Sequence, residues 1–282
     1  MRKHVDLGPG RCLVMGIVNR TPDSFFDGGR MALEEAVEYG LSLVDEGADL
    51  LDVGGVKAGP GPDVDESEEL RRLIPVVEAL SDRVSIPLSV ETGRPRVARE
   101  AIDAGASIVN DVTELLDPQL ATVCAELDST VIVMHNGGQI RGRPRHPRYD
   151  EVVRAVLDRW DELAQALIAA GVKEKRIVVD PGLDFGKTTF HSLELMRRLD
   201  ELVSQGRPVL VAPSRKDVVG ETLGLPLEGR LEGTLALVAV SVLKGARIVR
   251  VHDIAAAARV VRMTEAVMGS RRPIAPVRGL WD

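Results

Sequence analysis

The stretch LSLVDEGADLLDVGG, Leu41 to Gly55, joins two periodicities across one glycine. Its first half completes a pattern in which Leu33, Ala36, Val37, Gly40, Leu41 and Val44 recur at three and four residues, the spacing of one helix face. Gly47 follows as a C-cap. DLLDVGG (Asp49–Gly55) is then a short apolar run without strict alternation, the mark of a parallel strand covered on both faces. The same helix–glycine–strand unit recurs before SIVNDV (Ser107–Val112), RIVVDPG (Arg176–Gly182) and RIVRVHD (Arg247–Asp253), with Gly105, Gly171 and Gly245 at the junctions. Four further runs are CLVMGIV (Cys12–Val18), IPLSVET (Ile86–Thr92), VIVMHN (Val131–Asn136) and PVLVAPS (Pro208–Ser214). Helical patterns cover Leu70–Leu80, Pro95–Ala104, Glu151–Ala170, Leu193–Val203, Leu231–Leu243 and Ile254–Met268. Eight strands alternating with helices predict an α/β chain folded as one (β/α)8 TIM barrel. It should span residues 1–282, with 1–11 an N-terminal extension and 270–282 a C-terminal tail. A doubly wound open sheet is the competing architecture.

Composition narrows the function. The 282 residues carry 36 Lys plus Arg against 43 Asp plus Glu, a net charge of −7. That balance argues against a nucleic-acid partner, which needs a basic footprint. Aromatics are only 3% of the chain, which argues against base-stacking platforms. Cys12 and Cys124 sit in apolar runs and read as buried free thiols in a reducing, cytoplasmic setting. The apolar stretch Leu235–Leu243 is far short of the roughly 20 residues that span a bilayer.

The strand ends differ from their middles. Asn19, Glu91, Asn110, Asp111, His135, Asn136, Asp180, Arg250, His252 and Asp253 all fall at C-terminal ends of predicted strands, and Lys216 lies just beyond another. In a barrel these ends converge on one mouth, where active sites sit. Any single one could be a capping residue. Polar residues recur at nearly every strand, however, which caps alone do not explain, and caps do not require Lys, Arg and His there. The basic run from Arg141 to Arg148 reads as a solvated loop that could overhang the mouth and steer an anion. GGVKAGPG, from Gly54, is neither a Walker loop nor a dinucleotide fingerprint.

MGIVNRTPDSFFDGG (Met15–Gly29), DVGG at Asp52, SVET at Ser89, NDV at Asn110, DPGLDFGK at Asp180, SRK at Ser214 and RVHD at Arg250 stand in order along the chain. Together they resemble the dihydropteroate synthase family. The resemblance implies a barrel, usually dimeric, that joins 6-hydroxymethyl-7,8-dihydropterin diphosphate to 4-aminobenzoate on the route to folate. It implies Mg²⁺ held by Asn19, with an oxygen ligand suited to a hard ion. It assigns Arg250 and His252 to the diphosphate, and Asp180 and Asn110 to the edge of the pterin. Lys216 falls near the pterin carbonyl, and Met134 and Phe185 form apolar walls. Glu91 stands in the pterin pocket where the family has Asp. Lys216, Asp27 and Arg250 form the implied catalytic set.

The chain departs from the pattern in its second loop, where Val56, Lys57, Ala58 and Gly59 replace Glu-Ser-Thr-Arg. Arg20 and Phe26 alter the first loop, Asp184 replaces a Gly beside Phe185, and Ala212 and Pro213 precede Ser214. Asp184 should repel an anionic nucleophile. These changes resemble a divergent branch, and the alternative is a catalytically weak or inactive pterin-binding paralogue with an altered aminobenzoate subsite. A folate-dependent methyltransferase of the same fold is a further alternative, and a Lys216 Schiff-base aldolase is more distant still.

Overall fold

The computed structural model describes residues 3–8, 10–19, 33–56, 64–138 and 147–278. Each apolar run becomes a parallel strand: β1 (Leu13–Asn19), β2 (Leu50–Gly54), β3 (Leu88–Glu91), β4 (Ile108–Asp111), β5 (Thr130–Met134), β6 (Ile177–Asp180), β7 (Leu210–Val211) and β8 (Ile248–Val251). The sheet order is β6-β5-β4-β3-β2-β1-β8-β7. A bridge between Val179 and Val209 brings the two ends together. The open-sheet alternative is thereby excluded, and the fold is a single (β/α)8 barrel. β7 is shorter than the predicted Pro208–Ser214, because prolines at 208 and 213 lack the N–H that a ladder needs.

The helices are α1 (Leu33–Asp45), α2 (Glu66–Arg83), α3 (Pro95–Asp103), α4 (Gln119–Glu126), α5 (Val152–Ala169), α6 (Thr189–Arg197), α7 (Leu199–Val203), α8 (Asp217–Leu223), α9 (Leu231–Leu243) and α10 (Ile254–Val267). The expected helix at Leu193–Val203 is two helices that meet at Arg198. The short helices α4 and α8 carry too few turns to show a period in the sequence.

Side-chain alternation along the strands builds two cores. Outward residues such as Leu51, Val90, Val109 and Val131 pack under the helices. Inward residues Leu13, Met15, Leu50, Ile108, Ile132, Val178, Leu210 and Ile248 fill the barrel as one apolar plug. Val5 and Leu7 from the N-terminal segment pack against that plug. Lys3 fastens the same segment by donating from Nζ to the Ser81 carbonyl at 2.9 Å. The plug is therefore closed to water from below, and the polar chemistry is confined to the other end.

Candidate active site

One step of two residues along a strand returns a side chain to the same face. Two residues beyond the apolar plug, the inward positions therefore become Asp52 after Leu50, Asn110 after Ile108, Met134 after Ile132, Asp180 after Val178 and Arg250 after Ile248. Glu91 completes this layer from β3, beside Asn110 in register. All six lie within one belt just under the mouth.

Arg250 is the centre of the belt. Its Nε donates to Asp52 Oδ2 at 2.7 Å, and its Nη2 donates to Glu91 Oε2 at 2.6 Å. Asn110 Nδ2 donates to the same Asp52 oxygen at 3.0 Å, so what Asn110 offers a ligand is its carbonyl oxygen. Asp52 is fully buried and Glu91 is 7% exposed. Two carboxylates thus share one guanidinium in a poorly hydrated pocket. Burial pushes the Glu91 carboxyl up to about 7, against the pull of Arg250 and with help from Asp52.

The second half of the pocket is the loop after β6. Asp180 is buried, and its Oδ1 accepts from the Gly182 amide at 2.7 Å. Burial raises the Asp180 pKa, and Lys216 opposes that rise. Burial in turn lowers the Lys216 pKa against Asp180. Lys216 Nζ donates to the Leu183 carbonyl at 2.8 Å and lies 4.9 Å from the centroid of the Phe185 ring. Phe185 is half-buried and forms an aromatic wall beside the ammonium. Gly182 has φ +64°, and a Cβ there would lie 2.0 Å from the His135 carbonyl oxygen. Gly182→Ala should therefore cost about 1–3 kcal/mol from backbone strain alone, before the clash is counted. A thermal melt indistinguishable from that of the unsubstituted protein would contradict this.

His252 sits at the rim, exposed to the mouth, and its backbone N–H donates to Ser214 Oγ at 3.1 Å. Desolvation, then the Arg250 charge, lowers the pKa of its imidazole. His252 and Arg250 do not share a partner: Arg250 faces inward and His252 the rim. Asn19 ends β1 beside Gly54, where a Cβ would lie 3.0 Å from Asn19 Oδ1. Asp27, Phe26, Arg20, Lys57, Ala58, Gly59 and residues 139–146 of the basic loop lie outside the described residues.

Several strand-end residues are structural. Asp111 accepts from the Thr113 and Leu115 amides, Asn136 spans Val112 and Gly138, and Asp253 holds Arg215 through two bonds of 2.7 and 3.0 Å. Asp184 uses its carboxylate on the Val218 amide at 3.2 Å and Ser192 Oγ at 3.3 Å, tying the loop after β6 to the start of α8. Asp52 went unassigned in the sequence reading. Its signal was a lone acid inside an otherwise apolar strand.

The sequence pattern of the pterin binding enzymes matches residues 15–252. The chain belongs to the pterin-binding enzyme family. It is 47% identical over 277 residues to the Mycobacterium leprae protein called inactive dihydropteroate synthase 2, covering 96% of this chain and 95% of that one. The Yersinia pestis dihydropteroate synthase in complex with a sulfonamide drug superposes with a TM-score of 0.89 at 36% identity, covering 95% of this chain and 97% of that chain. The Xanthomonas albilineans dihydropteroate synthase in complex with 7,8-dihydropteroate gives a TM-score of 0.83 at 41% identity, covering 94% of this chain and 95% of that chain. Among the described residues of this pterin-binding barrel, no three or more His, Cys, Asp or Glu side chains gather as a metal site. A lone amide oxygen such as that of Asn19 suits an Mg²⁺ ion carried mainly by water and substrate phosphates.

Proposed function

We propose that this chain binds 6-hydroxymethyl-7,8-dihydropterin diphosphate in the belt under its mouth and joins it to 4-aminobenzoate. The observation that supports this most is the pairing of a donor-reading edge with an aromatic wall. Asp180 and Asn110 offer acceptors in a buried pocket, and Phe185 and Lys216 flank its outer side. A carboxylate there accepts from the guanidine-like edge of a pterin. Met134, in register with Asp180, supplies an apolar face for the ring.

In this reaction the bond between the pterin methylene carbon and the diphosphate oxygen breaks, and its electron pair leaves with diphosphate. The amine nitrogen then forms the new bond to carbon and gives up a proton to solvent. Lys216, Arg250 and Asp27 are our catalytic assignments. His252, being neutral, can take up a proton as the anion arrives, so diphosphate binding should raise its pKa. Asn19 would hold Mg²⁺, which neutralises diphosphate charge when bound. Glu91 lines the pocket from β3.

A second reading is favoured by two observations: the kinship with a protein called inactive, and the Glu91–Arg250 bond, which commits Arg250 inward. In it the chain binds the pterin and condenses it weakly or not at all. Diphosphate release from the pterin diphosphate with Mg²⁺ separates the two. Release only with 4-aminobenzoate supports the synthase; binding without release supports the paralogue; no binding defeats both.

We further read the protein as a cytoplasmic homodimer. Exposed Leu243 on α9 and exposed Met263 and Val267 on α10 support a second copy docking there. Light scattering should give twice the chain mass, and a monomer would contradict it. No helix among the described residues is long and apolar enough to cross a membrane, and Cys12 and Cys124 are free and buried.

A further inference from the structure

The loop that carries Asp180 and Phe185 has an unusual backbone. Gly182, Asp184 and Gly186 all have positive φ, at +64°, +69° and +59°. The loop also runs tightly against the end of β5: a Cβ on Gly186 would lie 2.5 Å from the Asn136 carbonyl oxygen. A non-glycine residue such as Asp184 holds a left-handed conformation only where its surroundings fix it.

Lys187 is placed to do that. It is 7% exposed, and its Nζ has three acceptors. They are His135 Nδ1 at 2.8 Å, the His135 carbonyl at 3.0 Å and the Phe185 carbonyl at 2.9 Å. Three acceptors match the three N–H bonds of an ammonium. With Nδ1 accepting, the His135 proton is on Nε2. Tyr149 reinforces the clamp by donating to the Gly186 carbonyl at 2.8 Å. The opposite end of the loop is pinned by the His135 amide and the Trp160 indole, both donating to the Asp180 carbonyl, at 2.9 and 3.2 Å.

We propose that Lys187 is a positioning residue of the pterin pocket, whose ammonium pins the loop that leaves Asp180 and bears Phe185 to the end of β5. The inference rests on the pterin-binding reading above. With its three N–H bonds taken by His135 and Phe185, Lys187 acts through the loop it holds. A neutral amine has only two N–H bonds and a lone pair, so deprotonation removes the ammonium's charge and one of its three donated bonds.

The charged surroundings of Lys187 are mixed. Asp180, Asp184 and Glu114 favour its ammonium, and Lys216 opposes it. The two imidazoles on either side, His135 and His191, are both held neutral-leaning by burial and by Lys187 itself, with Arg159 adding to the effect on His135. Burial is the largest influence and pushes Lys187 down to about 7. The clamp should therefore loosen as pH rises through that value.

Two readouts test this, one of them free of ligand. In a Trp281→Phe background Trp160 is the single tryptophan. Its emission should titrate with a midpoint near pH 7, and Lys187→Met should abolish that step. In titrations with 6-hydroxymethyl-7,8-dihydropterin diphosphate and Mg²⁺, Lys187→Met should weaken binding roughly ten- to a hundredfold and remove the alkaline fall in affinity. His135→Phe, which deletes one acceptor and leaves two, covers the case in which Lys187→Met does not fold. It should lower the Trp160 midpoint, because a cation with fewer acceptors loses its proton earlier. An emission flat between pH 6 and 9, or a midpoint that neither variant moves, overturns the inference. A normal Trp160 titration without pterin binding would instead overturn the function proposed above and leave the clamp standing.

Discussion

Arg250→Met is expected to destabilise the protein by about 3–5 kcal/mol near pH 8 and to abolish measurable binding of the pterin diphosphate. Methionine replaces the stem volume of arginine but none of its charge. Asp52, fully buried, and Glu91, 7% exposed, then face each other without the guanidinium that bonds both. Removing one partner of a buried ion pair costs more than the pair contributes, because the other charge stays behind. The deficit has a signed pH dependence. The stranded carboxylates take up protons as pH falls, so the gap to the unsubstituted protein should narrow from pH 8 to pH 5. Urea melts at the two pH values check this, and equal stability at pH 8 would contradict it.

The second large effect belongs to Glu91. Burial pushes its carboxyl up to about 7 in the folded protein, from the 4.5 usual for an exposed glutamate. Between those values the native state therefore binds more protons than the unfolded chain. The stability Glu91 contributes is fully present below about 4.5 and is lost as pH rises through about 7. Glu91→Gln cannot titrate. The stability of Glu91→Gln minus that of the unsubstituted protein should thus rise from pH 4.5 to 7 and level off above. Taking the difference cancels the other shifted groups, including His135 and His252, whose lowered values act in the opposite direction. A difference that is constant with pH would show that Glu91 is ionised throughout, and that Arg250 outweighs its burial.

Much of this was legible in the residues. The helix–glycine–strand units at Gly47, Gly105, Gly171 and Gly245 carry the barrel, because each apolar strand must be covered on both faces. The belt of site residues was legible too, since Asn110, Asp180 and Arg250 each follow an inward apolar residue by two positions. Asp52 obeys the same rule, yet its role was not visible, because DVGG shows an acid without showing that Arg250 reaches it from β8, on the other side of β1. Lys187 was hidden for a similar reason. It went unassigned within DPGLDFGK, and only the fold places the His135 carbonyl and imidazole around it. Asp184 carries a second role the sequence did not show: besides a charge that should repel an anionic nucleophile, its carboxylate accepts from the Val218 amide and Ser192 Oγ.

The inward bond between Glu91 and Arg250 also bears on whether the pocket turns over. Arg250 must either remain the floor of the pterin pocket or swing toward diphosphate. A swing would leave Asp52 and Glu91 without a cation, which is costly in a buried belt. We infer that pterin recognition is more firmly built into this chain than diphosphate recognition.

The most direct measurement is a calorimetric titration of the protein with 6-hydroxymethyl-7,8-dihydropterin diphosphate and Mg²⁺, repeated on Asp180→Ala. We expect saturable one-site binding that Asp180→Ala weakens by about tenfold or more, as befits the loss of a charge-assisted bond worth roughly 1.5–3 kcal/mol. No binding to the unsubstituted protein, or equal binding to both, would contradict a pterin pocket built on the belt beneath the barrel mouth.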